Sequence, residues 1–155
     1  MTDQFGRNIK YLRVSITDRC NLKCFYCMPH GAPAVQHRDI LRYEEIARIV
    51  RIAASLGITK VRITGGEPLV RKDCVQLIKM IREIPEIDTI AMTTNGILLP
   101  KYLSELVQVG LNAVNISLDT LQRQRFRAIT GCDGIPDWKA LLRCCVQAGI
   151  TTKTN

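Results

Sequence analysis

Cys20, Cys24 and Cys27 are the residues of this chain whose type and spacing point most directly to chemistry. Three thiolates on one short loop can bind three corners of a cubic iron–sulfur cluster. Because no fourth cysteine lies near them in the sequence, one iron of such a cluster would stay open to a ligand. The spacing therefore predicts a catalytic iron–sulfur cluster more than a purely structural one.

The same segment also allows a zinc site. Cys20, Cys24 and Cys27 together with His30 supply four ligands of a type that zinc accepts. Zinc alone does not account for the glycine and Asn-Gly turns that follow later predicted strands, so the cluster is the favoured interpretation. The alternative is a basic zinc-binding module that contacts nucleic acid. We interpret the remaining cysteines as ordinary residues: Cys74, Cys132, Cys144 and Cys145.

Composition limits the classes of protein that fit. The chain has 155 residues, a net charge of +8 and no apolar run of the ~20 residues that a membrane span requires. The positive charge favours an anionic partner, but the basic residues are scattered and only 5% of the residues are aromatic, which is few for stacking nucleic-acid bases. We expect no membrane and no nucleic acid as partners. The first residues resemble neither a signal peptide nor a transit peptide, so we expect a cytoplasmic location.

Apolar residues recur at helical spacing around 46–53, 77–84, 103–107 and 138–145. Three of these four predicted helices run into a glycine. The segments between them predict strands at 11–16, 60–64, 89–93 and 113–118, with a fifth that opens at Thr151. We expect loops at 32–39 and 131–136. Strands that alternate with helices indicate right-handed βαβ units and a parallel sheet.

Each predicted strand has one apolar and one polar face. In the first strand, Leu12, Val14 and Ile16 oppose Tyr11, Arg13 and Ser15. Strands covered by helices on both sides are usually apolar on both faces. The sequence therefore favours a partial (βα) barrel with helices outside and a polar, ligand-holding interior. An open two-layer sheet, with its polar face in water, is the alternative.

The polar motifs fall where the predicted strands end. The cysteines follow the first strand, and residues 65–68 (Gly-Gly-Glu-Pro), 94–96 (Thr-Asn-Gly) and 119–120 (Asp-Thr) follow the next three. The carboxyl ends of parallel strands share one rim, where α/β folds bind ligands. The glycine pair predicts bare backbone that a ligand amine or carboxylate can approach.

Arg13 and Arg62 lie on the inward face of neighbouring predicted strands. Buried guanidinium groups need an anionic partner. A triphosphate or a carboxylate ligand fits this requirement, and an acidic side chain of the same barrel is the alternative. Lys153 has the same parity in the fifth strand, although it could equally be a solvated residue near the chain end.

Four motifs in this order carry a family resemblance: residues 12–29, 62–69, 93–96 and 115–120. They resemble the MoaA family of radical S-adenosylmethionine (SAM) enzymes, the GTP 3',8-cyclases of molybdenum cofactor biosynthesis. The cysteine triplet and the Gly-Gly-Glu-Pro run are common to many radical SAM enzymes. The flanking Asp18-Arg19 and Met28-Pro29 are similar to this family in particular. A radical SAM enzyme that acts on another substrate is the remaining alternative.

The resemblance implies a role for each matching residue. Cys20, Cys24 and Cys27 would bind a [4Fe-4S] cluster whose open iron takes the amino and carboxylate groups of SAM. The positions that match SAM contacts are Tyr26, Gly66 and Ser117. The positions that match GTP contacts are Arg13, Arg62, Thr93 and Lys153. The residues after Lys153 differ from the usual pattern of the family.

The resemblance also implies a mechanism. Reduction of the cluster by a reductant protein would cleave SAM to methionine and a 5'-deoxyadenosyl radical. The radical would remove a hydrogen from the GTP ribose, and the ribose carbon would then bond to the guanine. The cofactor supplies this chemistry, so no side chain is expected to act as a conventional acid or base. The resemblance further allows a homodimer in the full-length form.

The resemblance also implies that complete members of the family have a six-stranded partial barrel and a second [4Fe-4S] cluster in a C-terminal region. The present sequence of 155 residues stops within the predicted fifth strand. We therefore expect residues 1–155 to be an incomplete radical SAM core domain. The expected consequence is an intact SAM-cleaving half-site without complete cyclisation by this chain alone.

Overall fold

Five strands form the framework that positions the predicted site residues. A computed structural model describes residues 2–31 and 35–155, without the side chain of His37. The strands are β1 (Tyr11–Ser15), β2 (Lys60–Thr64), β3 (Thr89–Thr94), β4 (Ala113–Ile116) and β5 (Thr151–Thr154). The helices are α1 (Tyr43–Ser55), α2 (Cys74–Arg82), α3 (Leu99–Gln108), α4 (Arg123–Thr130) and α5 (Trp138–Gln147). Short 3-10 turns cover His37–Asp39 and Pro68–Val70.

All neighbouring strands are parallel, and their order in the sheet is the order in the sequence, β1-β2-β3-β4-β5. When every crossover is right-handed and moves to the next strand, the connecting helices lie on the same face of the sheet. That face carries the apolar parity of each strand. Its most deeply buried strand residues are Val61, Ile63, Ile90, Met92, Val114 and Ile116.

The opposite face is polar and open. Tyr11 and Lys153 are exposed, and Arg62, Thr93 and Asn115 are only partly buried. A cavity of about 450 Å³ lies against this face and is lined by residues of all five strands. An open two-layer sheet does not account for a cavity that every strand lines. The fold is the predicted partial (βα) barrel.

The helices at α1, α2, α3 and α5 confirm the sequence prediction. Gly57 and Gly110 follow α1 and α3 with φ values of 97° and 95°, in the left-handed region where glycine ends a helix without strain. The helix α4 was not predicted, because only Phe126 and Thr130 of its residues are buried and they give too short a periodic signal. The predicted strand at 113–118 is shorter in the structure, since β4 ends at Ile116.

The predicted loop at 131–136 lies between α4 and α5. Of the predicted loop at 32–39, residues 32–34 lie outside the described part of the chain. None of the helices in the described ranges is both long and apolar enough to cross a lipid bilayer.

Candidate functional site

The three cysteines lie on the segment that follows β1, at the carboxyl end of the sheet. Two backbone hydrogen bonds attach this segment to the end of α4: Lys23 N–H donates to the Thr130 carbonyl at 2.9 Å, and Phe25 N–H donates to the Ile129 carbonyl at 3.0 Å. The amides of Cys27 and Met28 both donate to the Cys24 carbonyl, at 2.9 and 3.0 Å. The loop is therefore folded onto α4, the helix that the sequence analysis missed.

The cysteines share one cavity with most of the residues that the resemblance selected. This cavity has a volume of about 230 Å³. Its lining includes the three cysteines and five other predicted site residues, Arg13, Tyr26, Gly66, Thr93 and Ser117, and it also includes Asn95, which was not predicted. Residues from four separate strand ends thus meet at one rim, as predicted.

The three thiols differ in their exposure to solvent. Cys20 and Cys24 are half-buried, whereas Cys27 is exposed. Burial raises the pKa of the Cys20 and Cys24 thiols, so both hold their protons more tightly than an exposed cysteine does. Among residues 2–31 and 35–155 no three His, Cys, Asp or Glu side chains are placed to hold one metal ion. In a cubic cluster each thiolate binds a different iron, so convergence of the thiols on a single ion is not required.

The glycine pair after β2 packs against the backbone of residues 17–19, whereas the sequence predicted that a ligand would approach it. A Cβ atom on Gly65 would lie 2.7 Å from the Thr17 carbonyl oxygen, and one on Gly66 would overlap the carbonyl oxygen of Arg19. The Gly66 amide donates to Thr17 at 2.7 Å. The missing side chains therefore let the chain just before Cys20 pack directly on the end of β2, and Gly66 still reaches the cavity.

Glu67 is a buried carboxylate that joins two strand ends. It is 1% exposed. It accepts hydrogen bonds from the Thr94 hydroxyl at 2.8 Å, the Asn95 amide at 2.7 Å and the Leu69 amide at 3.1 Å. Burial raises the pKa of Glu67, although these donors oppose the increase. The carboxylate fixes the turn after β3 relative to the end of β2.

Tyr26 is tied to the end of β4 from across the site. Its hydroxyl donates to Asp119 Oδ2 at 2.8 Å. Burial and this hydrogen bond raise the pKa of the phenol, so it keeps its proton at neutral pH. The ring itself is 59% exposed. The hydrogen bond holds the second half of the cysteine loop over the cavity.

Arg13 and Arg62 stand side by side on the polar face, because their Cα atoms are register partners in β1 and β2. Arg13 Nε lies 3.5 Å from the Thr64 hydroxyl, and Arg62 Nη1 lies 3.4 Å from the Thr93 hydroxyl. Neither arginine forms an ion pair with a carboxylate in the described part of the chain. Arg62 Nε is buried and without a hydrogen-bond partner there. Two adjacent cations and an unsatisfied N–H group suit an anionic ligand.

Lys153 extends this polar face. It pairs in register with Asn115, which pairs in turn with Thr93. Lys153 and Arg62 both line the cavity of about 450 Å³ on the polar face. The structure thus divides the predicted residues between two cavities: Arg13 and Thr93 line the one with the cysteines, and Arg62 and Lys153 line the other.

Glu67, Asn95 and Asp119 were not among the predicted site residues. Each lies in a strand-end motif that the sequence analysis had placed on the rim, and this position was the available signal. Their partners from other strand ends are 27 to 93 residues away in sequence, so no local pattern could have paired them.

The fold and the site define an α/β partial-barrel protein whose cysteine loop is suited to an iron–sulfur cluster at the carboxyl end of the strands. The sequence profile of the Radical SAM superfamily matches residues 14–155. The chain belongs to this superfamily. Its members use a [4Fe-4S] cluster and SAM.

The curated relatives have names that are more specific than that of the superfamily. A GTP 3',8-cyclase of Petrotoga mobilis is 60% identical over 131 residues, which are 84% of this chain and 41% of that protein. One from Heliobacterium modesticaldum is 57% identical over 138 residues, which are 88% of this chain and 42% of that protein. The chain thus spans less than half the length of these relatives.

A solved structure has the same fold. Streptococcus suis SuiB bound to S-adenosylmethionine superimposes with a TM-score of 0.71 at 25% identity, covering 94% of this chain and 32% of SuiB. The zinc-module alternative is overturned by the superfamily match, since that match includes the three cysteines.

Proposed function

We propose that this chain carries the SAM site and part of the nucleotide site of a radical SAM enzyme that cyclises GTP. The observation that carries the proposal is Arg62, whose buried Nε has no hydrogen-bond partner in the described part of the chain, beside Arg13 on the polar face of the sheet. The curated relatives named GTP 3',8-cyclase support the choice of GTP over other anionic substrates.

Cys20, Cys24 and Cys27 would hold the cluster, with Tyr26, Gly66 and Ser117 around the SAM molecule. When bound, the reduced cluster supplies the electron that cleaves SAM to methionine and a 5'-deoxyadenosyl radical. The chain's own task is to orient the reactants and to exclude water. The Tyr26–Asp119 hydrogen bond and the α4 contacts keep the cysteine loop folded over the cavity for this purpose.

Arg13, Arg62 and Lys153 would bind the triphosphate. Guanidinium groups donate two parallel N–H bonds to phosphate oxygens, which fixes orientation as well as charge. The Thr93 hydroxyl accepts a hydrogen bond from Arg62 Nη1 at 3.4 Å. Thr93 would therefore orient the Arg62 guanidinium, and its hydroxyl would be a further donor to the nucleotide. Because Arg13 lines the cysteine cavity, a triphosphate bound between the arginines lies next to the SAM site.

An electron donor would approach the exposed side of the loop. Cys27 is exposed, and Phe25 is 63% exposed beside it. The neighbouring helix α4 presents Arg123, Arg125 and Arg127 to solvent. This surface favours a reductant protein with an acidic docking face. We propose a cytoplasmic location because free thiols and a cluster need a reducing compartment.

Anaerobic reconstitution with iron and sulfide tests the cluster and SAM roles. We expect acid-labile sulfide, EPR of a reduced [4Fe-4S] cluster and, with dithionite and SAM, release of 5'-deoxyadenosine. Cys24→Ser should abolish all three, whereas Cys144→Ser, at an exposed cysteine outside the site, should leave them unchanged. A chain that binds zinc without sulfide contradicts the proposal. Analysis of the same mixture with GTP tests our expectation that this chain alone does not complete cyclisation.

Equilibrium binding of GTP tests the substrate role separately. We expect Arg62→Gln to weaken GTP binding by about tenfold, the value of one charge-assisted hydrogen bond of roughly 1.4 kcal/mol. Arg48→Gln, at an exposed position on α1, is the matched control and should bind GTP like the parent chain. Equal affinities for GTP and for guanosine would contradict a triphosphate site at the arginines.

A further inference from the structure

Asn95 is the one residue outside the cysteine loop for which the described part of the structure records a side-chain hydrogen bond to a cysteine of the triplet. Its Nδ2 atom lies 3.8 Å from Cys20 Sγ, although the two residues are 75 positions apart in sequence. The backbone amide of Leu22 donates to the same sulfur at 3.4 Å. Cys20 Sγ therefore receives a donor from its own loop and a donor from the end of β3.

The orientation of the Asn95 amide follows from its other contacts. The Ile97 backbone N–H can only donate, and it donates to Asn95 Oδ1 at 3.1 Å. The nitrogen of the side chain must then face the other way. There it also donates to Asn21 Oδ1 at 2.7 Å, within the cysteine loop.

The turn that carries Asn95 is fixed from two sides. The Asn95 backbone amide donates to the buried Glu67 carboxylate at 2.7 Å. The next residue, Gly96, has φ 79°, and a Cβ atom there would lie 2.9 Å from the Trp138 ring. The Asn95 side chain is thus held in place before any ligand binds, which makes it a preorganised donor.

We infer that Asn95 is a positioning residue for the cluster, which orients the Cys20 thiolate and raises the reduction potential of the cluster through an N–H···S hydrogen bond. The inference rests on the proposed role of Cys20 as a cluster ligand. Reduction adds negative charge to the cluster and its sulfur ligands. A donor aimed at one of these sulfurs therefore stabilises the reduced state more than the oxidised state.

The contact with Asn95 influences the reduction potential from the Cys20 side of the cluster. Cys20 is half-buried and receives the Asn95 donor, whereas Cys27 is exposed to solvent. The fold supplies the potential-setting contact at the half-buried Cys20 thiolate and leaves the exposed Cys27 thiolate open to an approaching electron donor.

An EPR-monitored redox titration of the reconstituted chain tests the inference. Asn95→Ala removes the donor without adding charge, and we expect the equilibrium constant for one-electron reduction to fall three- to tenfold, about 28 to 59 mV at 59 mV per decade. Asn95→Asp keeps the oxygen that accepts from Ile97 and should lower the potential at least as far. Asn8→Ala is the matched control, because it removes an exposed amide that lies outside the cysteine cavity, and its equilibrium constant for one-electron reduction should equal that of the parent.

The outcomes are distinct. A parent chain without iron and sulfide refutes the proposed cluster role, and the inference falls with it. If the reconstituted parent and the reconstituted Asn95 variants have equal reduction potentials, only the inference is refuted. A reduction potential that is lower in Asn95→Ala but not in Asn95→Asp also refutes the inference. A second measurement does not need a loaded Asn95 variant: pulsed EPR of the parent chain with ¹⁵N in its asparagine side chains should show nitrogen coupling to the reduced cluster. Asn21 accepts from Asn95 through its oxygen, so the Asn21 nitrogen faces away. Absence of that coupling overturns the hydrogen bond.

Discussion

The two ends of the cysteine loop are held by different kinds of contact. Before Cys20, the backbone of residues 17–19 packs against Gly65 and Gly66, and Asn95 reaches the Cys20 sulfur from a turn fixed by buried Glu67. Near Cys27, the aromatic rings of Phe25 and Tyr26 are exposed, and the Tyr26 hydroxyl bonds to Asp119 in a solvent-accessible position.

The difference shows how one loop can serve two demands. Close backbone packing and buried hydrogen bonds allow little movement, so in our proposal the Cys20 end would set the geometry and the electrostatics of a bound cluster. Exposed hydrogen bonds contribute little free energy, so we expect the Cys27 end to open at a lower cost than the Cys20 end. Substitutions at the two ends test this difference.

The largest effect is expected at the packed end. Gly66→Ala would place a Cβ atom against the Arg19 carbonyl oxygen, so the chain before Cys20 must shift. We expect a loss of about 3 kcal/mol in the free energy of unfolding, as for overpacked interiors. Urea denaturation followed by circular dichroism measures this loss. Gly134→Ala is the control, because its Cβ would meet only Cys132 Sγ, at 4.0 Å, and an equal loss in both variants would contradict the packing argument.

A smaller loss is expected from Glu67→Gln. One of the two carboxylate oxygens becomes an NH₂ group that faces an N–H or O–H donor, because Asn95, Thr94 and Leu69 all donate to this side chain. A buried unsatisfied pair costs about 2 kcal/mol. The same denaturation experiment measures it, and Glu44→Gln on the exposed surface of α1 should change stability by less than ~0.5 kcal/mol. If Glu67→Gln leaves the free energy of unfolding unchanged, the buried carboxylate does not hold the Cys20 end.

The pH dependence of the free energy of unfolding provides a third test, with a smaller expected effect. Burial raises the pKa of Glu67 above its ordinary value of 4.5, so the folded chain binds this proton more tightly than the unfolded chain. The Glu67 contribution to stability therefore falls as the pH rises above 4.5, by at most about 1.4 kcal/mol per pH unit. We expect the stability advantage of the parent over Glu67→Gln to be larger at pH 5 than at pH 7. An advantage that grows toward pH 7 would mean that the donors outweigh burial.

The smallest effect is expected at the exposed end. Tyr26→Phe removes the hydrogen bond to Asp119 and should cost about 0.5 kcal/mol, because water replaces the partner. A double-mutant cycle with Asp119→Ala isolates the coupling between the two residues. Tyr102→Phe, at a partly buried tyrosine on α3, is the control variant. A coupling as large as the loss in Glu67→Gln would erase the distinction between the two ends.

Much of the architecture could be predicted from local patterns. The helical spacing of residues such as Ile46 and Val50 gave α1, and the alternation in Val61, Arg62 and Ile63 gave both β2 and the polar face. The helix α4 was missed because its surface is almost entirely polar and its anchoring depends on Phe126 and on the cysteine loop.

The candidate site was predicted in part. Spacing identified the cysteine triplet, and strand parity identified Arg13 and Arg62 as neighbours. The expectation that Gly66 leaves backbone free for a ligand was incomplete, because the same bare backbone also receives Thr17 and Arg19. That contact joins segments about fifty residues apart, and only the assembled sheet brings them together.

The sequence by itself determined which residues can bind a cluster, which strand faces are polar and which superfamily the chain belongs to. These properties depend on residue type, on short spacings and on the two-residue period of strands. Only the tertiary structure decided that Asn95 faces Cys20, that Glu67 holds the turn and that Asp119 receives Tyr26. Hydrogen bonds need atoms within a few ångströms in the right direction, and parallel-strand packing alone sets those distances between residues far apart in the chain.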